Sequence, residues 1–239
     1  MDRSIPLKRL SEPQVFSGFG IVASLIGILS VVLPGLVYEG TEGEAYSIFN
    51  HFISELGEIG VSDLAWVFNG GLILAGLAFI PFMIGLGIYL QNLLAKIAMV
   101  VGVFSAITIV LVGVFPMNYS AEHALAALSF FFSGLFMTGL WSLAIIFQSE
   151  KRVPKKLSVL GIVSTASFLA FLSAGSGDFA PLDGRPDFLL LPTLEWAVYF
   201  SIVGYLMVIA LFIWMRTHPN GILDLDEHDH SSSNQHPFK

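Results

Sequence analysis

Six long apolar runs alternate with short polar ones along this chain. They lie at about 15–37, 64–90, 93–114, 123–147, 157–174 and 193–215. A bilayer core of roughly 30 Å takes about twenty helical residues, so each run is long enough or nearly long enough to cross. The fold class this predicts is all-α: a polytopic integral membrane protein with six transmembrane helices. Residues 1–14 form a cytoplasmic N-terminal segment, 15–216 the six-helix transmembrane domain, and 217–239 a disordered cytoplasmic tail. The fifth run is the shortest and carries Ser164, Thr165, Ser167 and Ser173. Small hydroxyl residues favour helix–helix contact in lipid, so this run is expected to be buried among its neighbours.

One polar interruption has a pattern of its own. Between Glu44 and Leu56 the apolar residues are Ala45, Ile48, Phe49, Phe52, Ile53 and Leu56. That spacing is one stripe of a helix. Ser47, Asn50, His51, Ser54 and Glu55 fall on the other side. Thr41 and Glu44 have the capping-box spacing, and Gly57 suits a helix stop. The expectation is a short extracytoplasmic amphipathic helix lying on the membrane surface.

Composition agrees with the membrane reading. The 239 residues are 55% hydrophobic and only 12% charged, with a mean hydropathy of +0.78. A soluble domain averages about 25% charged residues. With no cysteine in the sequence, disulfides, thiolate metal sites and cysteine nucleophiles are excluded. Arg3, Lys8 and Arg9 ahead of the first run resemble the start of a signal sequence. The run is too long for one and lacks a small-x-small cleavage site, so it is read as a retained span. No basic patch points to nucleic acid. The partners expected are membrane lipids.

Charge gives the orientation. Arg3, Lys8, Arg9, Lys96, Lys151, Arg152, Lys155, Lys156, Arg216 and Lys239 flank one set of span ends, and Arg185 alone flanks the other, which accounts for all 11 basic residues. The positive-inside rule then places both termini in the cytoplasm of a multi-pass cell-membrane protein. The first outer loop carries Glu39, Glu42, Glu44, Glu55, Glu58 and Asp63, and the third carries Asp178, Asp183 and Asp187 beside Arg185. Arg185 is expected to pair with Asp178 or Asp187, or to receive an anionic head group. Trp66, Trp141, Trp196, Trp214, Tyr89 and Tyr199 are expected to anchor span ends at the interface. In the tail, His228, His230 and His236 among acidic residues allow a metal-binding tract, but composition alone fixes no ligand geometry and the preferred reading is a solvated tail with no site.

Ionisable and amide groups at span ends are costly in lipid and need partners or water. His51, Ser54, Glu55, Asn69, Asn118, Glu122, His123 and Glu195 all fall near one depth on the outer side. They are the candidate ligand-binding set of a shared outward-facing pocket. His51 and Glu55, at i and i+4 of the expected helix, could join His123 and a carboxylate around a zinc-like ion. Ser54, His123 and a carboxylate could instead form a nucleophile, base and orienter. No HExxH or GxSxG motif supports either set. Asn69, an amide inside an apolar span, reads as an interhelical clamp. Phe68-Asn69-Gly70-Gly71 and Phe131-Phe132-Ser133-Gly134, each with a second glycine five residues on, suggest a repeat of helical hairpins; small residues at helix crossings explain the same pattern.

Ile53-Ser54-Glu55-Leu56-Gly57, Phe68-Asn69-Gly70-Gly71-Leu72 with Gly76, and Gly113-Val114-Phe115-Pro116 followed by His123 resemble the six-span, mostly prokaryotic family catalogued as domain of unknown function 998. The resemblance runs from about Val15 to Arg216. It implies six helices and singles out Ser54, Glu55, Gly57, Asn69, Pro116 and His123, without supplying a reaction. A looser likeness to intramembrane hydrolases related to alkaline ceramidase lacks their paired late histidines. Three functions therefore stand at this point. The pocket binds a lipid head group or small polar ligand; or it is the site of a metal- or serine-dependent lipid hydrolase; or the protein is a transporter. Cofactors are left unassigned.

Overall fold

The computed structural model describes residues 11–175 and 185–218. Six helices carry the chain back and forth: α1 (Pro13–Val37), α2 (Ala65–Leu90), α3 (Leu93–Val114), α4 (Ser120–Ile146), α5 (Ser158–Ser173) and α6 (Leu190–Thr217). All six are long and apolar enough to span a membrane, α5 together with the 3₁₀ turn Lys155–Leu157 that leads into it. The protein is thus an all-α polytopic membrane protein. Each helix packs against its neighbours in the chain, and α6 returns onto α1, so the bundle closes into a ring. Asp178, Asp183 and the histidine tract at His228, His230 and His236 lie outside the described residues.

The ring is filled by large side chains. Phe16, Phe82, Trp141, Phe168 and Ile209 are fully buried. Trp141 therefore belongs to the core, not to an interfacial belt, because it points between helices where no head group reaches. Trp66, by contrast, is 73% exposed at the start of α2, as an anchor should be. The fifth span also departs from expectation: its membrane-length window is the least buried of the six. Ser164 is buried and Thr165 bonds Thr138, but Val159, Ile162, Val163 and Leu169 face outward. Ser167 turns its hydroxyl back to the Val163 carbonyl, which removes the need for a neighbouring helix. The glycine pattern shared by α2 and α4 does not extend to packing. Gly71 lies against Ser30 of α1, whereas Gly134 lies against Phe168 of α5.

Arginines lace the basic end. Arg152 donates to the carbonyl of Tyr89 and the side chain of Gln91 and sits over the Tyr89 ring, while Arg216 donates to the carbonyls of Lys151 and Arg152. These bonds satisfy helix-end and turn carbonyls that water would otherwise have to reach.

At the acidic end the expected amphipathic helix is not formed. Only Ile53–Gly57 is helical, as a 3₁₀ turn, and residues 39–45 close a tight loop through a Glu39–Ala45 bridge. The carbonyls of residues 49–51 would serve the next helical turn, but they are already taken, and that of Phe52 accepts the Glu55 N–H of the 3₁₀ turn as well as a side chain. Phe49 accepts from Leu189 N–H and Thr193 Oγ1, Asn50 from Arg185, His51 from Trp196 Nε1, and Phe52 from Tyr46 OH. Tertiary partners outbid the local helix. Apolar residues of the segment then pack inward: Ile53 and Leu56 join Val31, Tyr38, Phe68 and Trp196 in a second, smaller core.

Candidate functional site

The segment 38–64 is a folded cover over the acidic end of the ring. Two helices and one interhelical turn hold it. From α2, Asn69 Nδ2 donates to the Gly57 carbonyl at 2.8 Å. The partner of Asn69 is thus the 3₁₀ turn, not another helix, and its Oδ1 is buried without a hydrogen-bond partner. Gly57 has to be glycine here, since a Cβ would meet that same Oδ1 and come within 2.6 Å of the Phe68 ring. From the turn before α4, Asn118 clamps the loop with both ends of its amide: Oδ1 accepts from Ile59 N–H at 2.8 Å and Nδ2 donates to Ile59 O at 3.0 Å. From α6, the Glu195 carboxyl accepts the Ile53 N–H at 2.8 Å through Oε2.

Glu55 is buried and tied down on two sides. Its Oε1 accepts the Phe52 N–H at 2.7 Å, which caps the 3₁₀ turn. Arg185 grips both oxygens, Nη2 to Oε2 at 2.8 Å and Nη1 to Oε1 at 3.1 Å. Arg185 therefore pairs with Glu55, not with Asp187. The reason is geometric: its Nη1 also donates to the Asn50 carbonyl, so the guanidinium lies across the cover. Burial works against the charge of Arg185, but the hydrogen bonds to Glu55 outweigh it and hold its pKa above the usual value.

The His51 ring lies against Tyr38 and Tyr46, and Trp196 packs on Tyr46 and donates to the His51 carbonyl. Its Nδ1 lies 2.7 Å from Asn50 Oδ1 and 3.2 Å from Ser47 N, and its Nε2 approaches Glu44 only to 3.9 Å. Burial lowers the His51 pKa, partly opposed by the Glu55 carboxylate. Burial, then Glu55, raises the Glu58 pKa. The same two causes push Tyr38 up to about 12.

Below the cover lies a cavity of about 100 Å³. Its polar lining is Ser54 from the 3₁₀ turn, His123 from α4 and Glu195 from α6; Phe68, Phe131 and Val198 are among its apolar walls. His123 Nδ1 is 2.7 Å from the Phe115 carbonyl. A carbonyl can only accept, so Nδ1 carries the proton and neutral Nε2 is the ring's available acceptor. Ser54 Oγ makes no hydrogen bond among the described residues, and none joins it to His123.

Of the eight candidate residues, the structure thus brings Ser54, His123 and Glu195 to one cavity. Glu55, Asn69 and Asn118 fasten the cover. His51 packs inside the cover, and Glu122 is exposed in the first turn of α4. The zinc-like set of His51, Glu55 and His123 is not assembled: among the described residues no three His, Asp or Glu side chains form a metal-binding group. Sequence reasoning missed the structural part played by Tyr38, Tyr46 and Trp196. Aromatic clustering near span ends was the available signal, and it reads equally well as lipid anchoring.

No curated protein and no solved structure matches the chain. The family model described as "Protein of unknown function (DUF998)" matches residues 21–217, which takes in all of α2 to α6, most of α1 and the whole cover. The match covers well over half of the sequence, and the chain belongs to that family.

Proposed function

We propose that the protein binds, at its acidic end, an amphiphilic molecule whose polar head carries hydrogen-bond donors. The observation that supports this is the cavity lined by Ser54, His123 and Glu195 with otherwise apolar walls. Small-molecule sites commonly combine apolar walls with a few placed polar groups. Here the polar groups can all accept: neutral His123 Nε2, with the Glu195 oxygen not used by Ile53 and the Ser54 hydroxyl able to serve either way. A hydroxyl- or amine-bearing lipid head group has the matching donors. The charge bias of the flanks, with basic residues collected at the opposite end, supports an extracytoplasmic site and cytoplasmic termini.

Binding is favoured over serine hydrolysis by what the three side chains already hold. His123 Nδ1 is oriented by a backbone carbonyl, and Glu195 is bonded to the Ile53 amide, so no carboxylate orients the histidine. The test is native mass spectrometry of the full chain released from nanodiscs made with total lipid of the host. A retained lipid with a hydroxyl or amine head is expected, lost in Glu195→Gln and weakened in His123→Ala. Equal retention in all three proteins overturns the proposal.

A further inference from the structure

A second chamber of about 60 Å³ lies deeper in the ring. Leu72 of α2, Ile109 of α3 and Phe130 of α4 line both it and the cavity under the cover, so the two adjoin at this shared collar. The inner chamber has two unusual features. Gly27 of α1 is buried and lines it, yet a Cβ built there meets no atom within 4 Å. Ser105 of α3 also lines it, and its buried Oγ has no hydrogen-bond partner. The buried glycine faces open space, and the buried hydroxyl faces no protein acceptor.

Water is a poor occupant for this space. A buried water makes about three hydrogen bonds, whereas the side chains lining this chamber offer one hydroxyl among apolar walls. The Gly27 carbonyl is already used by Ser30 Oγ and by Tyr199 OH, which reaches across from α6. Even a larger apolar cavity, of roughly 150 Å³, stays dry and takes benzene. We infer that the two chambers form one head-and-tail site, in which the hydrocarbon tail of the bound amphiphile passes the Leu72–Ile109–Phe130 collar and ends in the chamber beside Gly27. The inference rests on the head-group site proposed above and adds its chain-length selectivity. The tail is short: together the chambers are about the size of an engineered pocket that holds benzene, roughly 150 Å³.

The experiment uses the full chain in phosphatidylcholine nanodiscs and a series of 1-O-alkylglycerols from ethyl to decyl, competed against a tritiated member of the series. Glycerol supplies donors for the acidic end, and each buried methylene is worth roughly fourfold in affinity. Wild type is expected to gain affinity with each added carbon up to a sharp limit. Gly27→Val fills the inner chamber and should leave ethyl and propyl ethers unchanged while weakening the preferred longer ether by about tenfold or more. Gly27→Ala, the milder change, should give a smaller loss with the same chain-length dependence, and it serves if the valine variant does not fold. A chain-length profile identical to wild type in folded Gly27→Val or Gly27→Ala overturns the tail site. If Glu195→Gln meanwhile weakens every ether, the head-group site survives that result. If Glu195→Gln changes no ether, the head-group site fails and the tail site with it.

Discussion

Exchange of Glu55 for Gln removes the charge from a carboxylate with Phe52 N–H and Arg185 as its donors. The Phe52 bond can survive in the amide, but the two-pronged grip of Arg185 cannot. Breaking one partner of a fully buried pair costs about 3–5 kcal/mol. Arg185 is about a third exposed, so solvent screening takes a large share of that. Charge-assisted bonds of this kind are worth roughly 1.5–3 kcal/mol, and about 2 kcal/mol is the expected local loss. The loss falls on the cover, because Arg185 also holds the Asn50 carbonyl. Amide hydrogen exchange in nanodiscs reads it directly. The Phe52 and Ile53 amides, bonded to Glu55 and Glu195, should exchange about thirtyfold faster, since each 1.4 kcal/mol is tenfold. Arg185→Gln should do the same, and the double variant should fall short of the sum by about 1 kcal/mol or more. Exchange within about twofold of wild type in both single variants, or simple additivity in the double, refutes the reasoning.

Three further outcomes are expected. Gly57→Ala drives a methyl into Asn69 Oδ1 and the Phe68 ring, and overpacking of this sort costs about 1–3 kcal/mol; an unchanged thermal midpoint of the purified protein would show that the turn is not so tightly seated. His51 has a lowered pKa in the fold, so the unfolded cover takes up its proton first as pH falls; stability is full above about pH 6.5 and declines below it toward the folded pKa. Protection of the cover, taken relative to the intrinsic exchange rate at each pH, should therefore fall between about pH 7 and pH 5 in wild type more than in His51→Gln, and parallel slopes would count against the burial of a neutral ring. Since the chain has no cysteine, Ile59→Cys and Ser232→Cys are clean topology probes. An impermeant maleimide on intact cells should label the first and spare the second, and the reverse pattern would invert the orientation.

The helices were legible because lipid imposes one rule on every residue of a span. Leu93–Val114 is the span expected from hydropathy, and the other bounds shift by a few residues. The same signal could not place the fifth span's serines, because a hydroxyl in lipid can be satisfied by its own helix, as Ser167 is. The cover was legible in membership but not in shape. Ser54, His123 and Glu195 were picked out as costly groups at one depth, and they do meet at one cavity. The helical stripe from Glu44 to Leu56 was misleading, because periodicity counts side chains and says nothing about carbonyls claimed by distant donors such as Trp196 and Arg185. No local pattern pairs Arg185 with Glu55, 130 residues away.

Ring closure by α6 also orders the birth of the protein. During synthesis the first five helices can enter the membrane as an open arc, with the Ile53 amide and the Phe49 and His51 carbonyls still facing water. The sixth of these helices then brings Glu195, Thr193 and Trp196, the very groups that receive them. The cavity under the cover is therefore completed only when α6 is in place. A chain cut short before residue 190 would keep both partners of the Gly57–Asn69 clamp but lack Glu195 and Val198, the α6 wall of that cavity.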